Sequence, residues 1–153
     1  MSFAEGTTVP VEKSRAEIEA LLRKYGADQF ASGWTDRDAK IQFRARERYV
    51  RFVLLLPDPA SKAFTRHPQH PWKERSKDAA QKAYETEVRR LWRALLLVIK
   101  AKLESVDSKI ATFENEFMAN IVMPDGKTVA EHAGPMIEAA YKSGKVQALL
   151  PGW

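Results

Sequence analysis

Ser76–Val106 reads SKDAAQKAYETEVRRLWRALLLVIKAKLESV, a stretch with neither proline nor glycine. Tyr84, Val88, Leu91, Trp92, Leu95, Val98, Ile99, Leu103 and Val106 recur at intervals of three and four, the period of one helix face. About 30 residues rising 1.5 Å each predict a helix about 45 Å long. Through Ala94–Ile99 the apolar side chains run nearly all the way round. A helix of that kind needs cover on more than one side. What the flanking segments form to supply that cover decides the fold.

On the N-terminal side the period changes from helix to strand. Ile41, Phe43 and Ala45 alternate with Lys40, Gln42, Arg44 and Arg46, the pattern of a strand with one wet face. Val50, Phe52, Leu54 and Leu56 share one face of Tyr49–Leu56, and Phe30 and Trp34 are evenly spaced within Asp28–Thr35. Turns at 35–38 and at 46–48 join three strands into an antiparallel meander, and Pro57 and Pro59 end it. Further upstream, Ser14 and Glu17 have the spacing of a capping box. Ile18, Leu21, Leu22 and Tyr25 follow as a helical stripe, with Gly26 placed to close it. Residues 1–13 are expected to be loose. Residues 57–75, rich in proline, histidine and basic side chains, are expected to form a long loop inside the domain of residues 14–153.

Beyond the long helix, Thr112–Met123 fits either of two readings. Phe113, Phe117 and Ile121 suit a helix, whereas Ile121-Val122-Met123 suits a short strand. Pro124-Asp125-Gly126 is a turn. Thr128 and Glu131 make a second capping box, opening a helix that Gly144 stops, with Gly134-Pro135 straining its first turns. Leu149, Leu150 and Trp153 suggest that the tail docks. The fold class is α+β: an N-terminal helix, a three-stranded antiparallel sheet, a long central helix and a C-terminal helical cap. Sheet and first helix cover about half of the long helix. The C-terminal helix, with Met136, Ile137, Ala140 and Tyr141, covers the rest, or a second copy does so in a two-fold homodimer.

The 153 residues suit one domain with a core of its own. Hydrophobic residues make up 44% and charged residues 29%, which excludes a disordered chain. The absence of cysteine excludes disulfides, zinc fingers and thiol chemistry. No apolar run approaches the roughly 20 residues of a membrane span, and no leader is apparent at the N-terminus. A cytoplasmic protein without a membrane partner is the expectation. The net charge of +5 permits a polyanionic partner.

Two basic constellations follow from periodicity. Lys40, Arg44 and Arg46 fall on the wet face of the second strand; Arg48, Tyr49 and Arg51 follow on the third, and Tyr49 and Arg51 join that face depending on the hairpin register. Planar guanidinium groups with an interleaved ring suit phosphate and base. The competing reading is a solvated strand face whose charge discourages edge pairing. On the long helix, Lys82, Arg89, Arg93 and Lys100 recur about every one or two turns as a basic stripe, diluted by Glu85, Glu87 and Glu104. Lys40, Arg44, Arg46, Arg48, Tyr49, Arg51, Lys82, Arg89, Arg93 and Lys100 are thus the candidate nucleic-acid-binding residues. His67, His70 and His132 lack the convergent spacing of a metal site. Glu114 and Glu116 point different ways on a helix and do not make an acid–base pair. The glycines are scattered and form no phosphate-cradling loop. No catalytic residue, metal or cofactor is expected.

Arg90–Glu104, Thr112–Ala119, Met123–Thr128 and Leu149-Leu150-Pro151, with Thr8–Glu12 and Arg23–Asp28, resemble a widespread group of small uncharacterised bacteriophage and prophage proteins. That resemblance implies a phage or mobile-element origin and a host bacterial cytoplasm, and carries no site residues. The helix–three strands–helix order is also similar in topology to double-stranded-RNA-binding domains, with Lys73, Arg75 and Lys77 at the second helix's start. The expectation is a non-enzymatic accessory protein that binds nucleic acid. The alternative is a protein-interaction module acting on a host or phage protein, such as a defence enzyme.

Overall fold

The structure, a computed structural model, describes residues 4–146. Helix α1 (Val11–Lys24) leads into strands β1 (Gln29–Trp34), β2 (Asp38–Ala45) and β3 (Arg48–Leu55). A short helix α2 (Lys62–Thr65) precedes the long α3 (Lys77–Asp107), followed by α4 (Phe113–Phe117), a 3₁₀ turn (Met118–Asn120) and α5 (Val129–Ser143). The sheet is antiparallel in the order β1-β2-β3, the expected meander. The architecture is α+β, as the periodicity predicts.

The core lies between one face of the sheet and two helices. Ile41, Phe43, Val50 and Phe52 meet Ile18 and Leu22 of α1 and Trp92, Leu95, Leu96, Ile99 and Leu103 of α3. Strand alternation sends these side chains to one face and leaves the other to solvent. Phe117 of α4 closes the core, edge-to-face with Phe43 at 6.0 Å and with Phe52 at 6.3 Å.

Several local expectations are corrected. The N-terminal segment is not loose throughout: Ala4 is buried, and α1 begins at Val11 behind Pro10. Ser14 lies inside the helix with its amide donating to the Pro10 carbonyl at 3.2 Å, which consumes the donor a capping box would offer Glu17. Residues 57–75 fold back on themselves instead of running as an open loop. Ser61 caps α2, buried Phe64 meets Tyr84 edge-on at 5.6 Å, and Arg66 bridges Glu74. Arg75 donates to the Ala63 and Phe64 carbonyls, while His67 Nδ1 accepts from the Gln69 and His70 amides. Backbone groups that strands or helices would otherwise satisfy find partners here locally. Segment 112–123 realises both of its readings in turn. Thr112 caps α4, and Ile121 then bridges Val50 in antiparallel fashion.

The capping box at Thr128 and Glu131 forms as the spacing predicts, and Gly144 stops α5 at φ 68°. The cover that α5 was expected to give α3 is not found. α5 contributes no buried residue; it packs on the 3₁₀ turn and leaves Ile137 and Tyr141 exposed. Leu97 and Val98 of α3 stay 38% and 46% exposed. The C-terminal tail at Leu149–Trp153 lies outside the described residues.

Candidate nucleic-acid interface

The register of the sheet fixes which candidates share a surface. On the solvent face, Gln29, Arg44 and Tyr49 form one row across the three strands, and Ala31, Gln42 and Arg51 the next. Gly33, Lys40 and Val53 form the third. The small residues of β1 leave a trough of about 500 Å³ whose lining includes Gly33, Lys40, Gln42 and Arg51. The floor is open because Ala31 and Gly33 carry almost no side chain.

Each cation of this face has an anchor. Arg44 donates to Asp28 Oδ2 at 2.8 Å, and Lys40 lies 3.9 Å from Asp38. Arg51 donates through Nε to Gln42 Oε1 at 3.1 Å and through a terminal nitrogen to the Gly126 carbonyl at 3.0 Å. Tyr49 donates its hydroxyl to Gln29 Oε1 at 3.0 Å and is 42% exposed. Asp28 and Asp38 stand at the ends of the sheet, and the Glu131 carboxylate of α5 lies close enough to Arg51 to feel its charge. Two carboxylates at the start of α5 and the turn before it are held ionised. The Thr128 amide keeps Glu131 below the ordinary glutamate range, and the Lys127 amide, with His132, does so for Asp125. Anchored guanidinium groups keep free edges and lose less rotamer entropy on meeting a phosphate.

Arg46 and Arg48 leave this face. Arg46 and Glu47 form the two-residue turn between β2 and β3, both with positive φ (48° and 63°). The alternation that would have put Arg46 beside Arg44 ends one residue too early. Its guanidinium instead lies over the Phe113 ring at 5.5 Å, and Arg48 reaches Glu114 at 3.6 Å.

The basic stripe of α3 forms, but on the other layer. Trp92, Ile99 and Leu103 turn toward the inner face of the sheet; Arg89 and Arg93 lie on the flank next to α1, and the helical period puts Lys82 and Lys100 in line with them along α3. Arg93 is taken by Glu17 at 2.6 Å and Lys82 by Asp78 at 3.1 Å. Lys100 is exposed. The core therefore separates the two constellations, and no single sheet-and-helix surface unites them. What the sequence reading missed on the sheet face is the role of Ala31 and Gly33; small residues at alternate positions of an edge strand were the available signal.

Other expected groups are placed as follows. His67 and His70 stack at 5.1 Å, and His132 contacts Asp125 at 2.7 Å. Among the described residues no three histidines or carboxylates converge on a metal position. Glu114 faces Arg48, while Glu116 accepts from Ser105 and Lys102. Of the described helices, none is long and apolar enough to cross a membrane. Comparison with protein-family models, curated proteins and solved structures found no match.

Proposed function

We propose that this protein binds nucleic acid without acting as an enzyme, as a phage or mobile-element accessory protein in the host bacterial cytoplasm. One observation carries the reading: Lys40 and Arg51 line a trough on the solvent face of the sheet, with Arg44 and the exposed Tyr49 ring in the neighbouring row. Guanidinium and ammonium groups meet phosphates there, and the exposed ring offers a base a stacking surface. The test is fluorescence anisotropy with labelled single-stranded and duplex oligonucleotides across a salt series. Affinity falls with salt at a slope set by the number of phosphates neutralised. Absence of binding at low salt removes the reading.

A second reading is a protein-interaction module that modulates a host or phage enzyme. It rests on α5, an amphipathic helix with no buried residue and with Ile137 and Tyr141 57% and 89% exposed. Capture of a host protein that survives nuclease and is lost on Ile137→Asp favours it. Self-association through Leu97 and Val98 belongs with either reading. Light scattering tests it against the monomer mass of 17.4 kDa.

A further inference from the structure

On the layer away from the solvent face of the sheet, the start of α1, the first half of α3 and the strand ends enclose a groove of about 480 Å³. That volume falls within the range of small-molecule sites. Trp92 forms part of its wall and is 4% exposed, whereas Trp34, at the end of β1, is 74% exposed. Tyr84 adds a third ring, held edge-on by Phe64. Trp34 sits on the inward side of its strand, opposite Ala39. It thus faces the groove with no protein surface over most of its ring.

Two guanidinium groups line the same groove, Arg15 and Arg89. Among the described residues neither has a carboxylate within ion-pair distance, unlike Arg23, Arg44, Arg90 and Arg93. Arg89 donates to Thr86 Oγ1 at 3.0 Å, but its Nε is buried with no partner. A buried donor left unmade costs the full desolvation of the group. Glu12 and Glu85 also line the groove, and Glu85 receives one bond, from Gln81. The groove thus presents an open ring, two guanidinium groups without a carboxylate partner among the described residues, and available acceptors together.

We infer that this groove binds a nucleotide: a planar base on Trp34, its phosphate on Arg89 and Arg15, and its sugar or exocyclic donors on Glu12 or Glu85. A simple aromatic carboxylate would satisfy the ring and the guanidinium groups but would leave those two carboxylates facing a negative charge without a donor. The site lies on a different layer from the trough and does not depend on the reading of that face.

The experiment is a titration of the whole chain with adenosine 5′-monophosphate, followed by calorimetry and by tryptophan fluorescence. Saturable binding is expected, weakened about tenfold or more by Trp34→Ala and by Arg89→Gln, in keeping with the loss of one stack or one charge-assisted bond. Lys24→Ala, at the far end of α1, and Lys145→Ala, beyond α5, leave it unchanged. Trp34 is mostly exposed, so its replacement preserves the fold, which circular dichroism verifies. Displacement of the mononucleotide by a short single-stranded oligonucleotide identifies an unpaired base of a strand as the natural source; no displacement identifies the free nucleotide. The inference is overturned if no saturable binding appears into the millimolar range. It is also overturned if adenosine or indole-3-acetate binds as tightly as the nucleotide, or if Trp34→Ala and Arg89→Gln bind like the parent protein.

Discussion

Arg93 donates to Glu17 across 2.6 Å, joining α3 to α1 between positions 76 residues apart in the chain. Glu17 is free for this because Ser14 has already given its amide to Pro10. The pair also explains why Arg93 of the α3 stripe is not open to a ligand. Side-chain exposures of 28% and 37% place it between a surface bridge and a buried one. Arg93→Gln and Glu17→Gln should each cost about 0.5–1 kcal/mol in urea unfolding, with a smaller cost at high salt. The double variant should cost clearly less than the two added together. Full additivity would mean that the contact contributes nothing.

The sheet face makes a separate prediction about charge. If nucleic acid lies along it, Lys40→Ala, Arg44→Ala and Arg51→Ala should each flatten the slope of log affinity against log salt by about one unit. Lys82→Ala and Lys100→Ala, on the other layer, should leave the slope alone. Equal effects from both sets, measured by anisotropy, would contradict the separation of the two surfaces.

Phe117 is fully buried and touches Phe43, Phe52 and Phe113, the last at a ring separation of 4.8 Å. Phe117→Ala should cost about 3–5 kcal/mol through lost transfer energy and the cavity left behind. Phe117→Leu should cost much less. Chemical denaturation of the two variants distinguishes a packed core position from a loosely held one.

Glu47 sits in the hairpin turn at φ 63°, a conformation that glycine adopts freely and glutamate does not. Glu47→Gly should stabilise the protein by about 0.5 kcal/mol, since two-residue hairpin turns of this hand favour glycine at their second position. Arg46→Gly should gain less, because it also removes the contact with Phe113. A lower melting temperature for Glu47→Gly would mean that the side chain has a stabilising partner.

Glu116 accepts from the Ser105 hydroxyl at 2.8 Å, the main cause of a carboxyl held below its ordinary range, with Lys102 assisting. Because the folded carboxyl is the stronger acid, the unfolded chain binds more protons. Stability from this group is present above the ordinary glutamate range, about pH 4.3, and is lost as pH falls through the lowered value. Glu116→Gln should therefore lower stability at neutral pH, converge with the parent protein at low pH, and so flatten the acid limb of the stability curve. Denaturation at a series of pH values measures it, and an unchanged acid limb would count against the bond.

Period and punctuation are local properties of a chain, and they carried much of the fold. The uninterrupted Ser76–Val106 period, the alternation of Ile41, Phe43 and Ala45, and the Thr128–Glu131 box place a long helix, a sheet face and a helix start that neighbours a few residues away already specify. The same alternation put Lys40, Arg44 and Arg46 on one face before any packing was considered; the turn took Arg46 away, and the hairpin register brought Tyr49 and Arg51 in. Ser14 failed as a cap because Pro10 starts the helix a turn earlier, a competition between two local signals. Other features depend on segments far apart in sequence, and no window of residues contains them. The partnership of Arg93 with Glu17, the lid that Phe117 makes over Phe43 and Phe52, and the splitting of the basic residues onto two layers are of this kind. So is the groove around Trp34, whose lining comes from α1, α3 and three strand ends. Pattern sets which way a side chain points within its own element, whereas what it meets there is set by the docking of elements on one another.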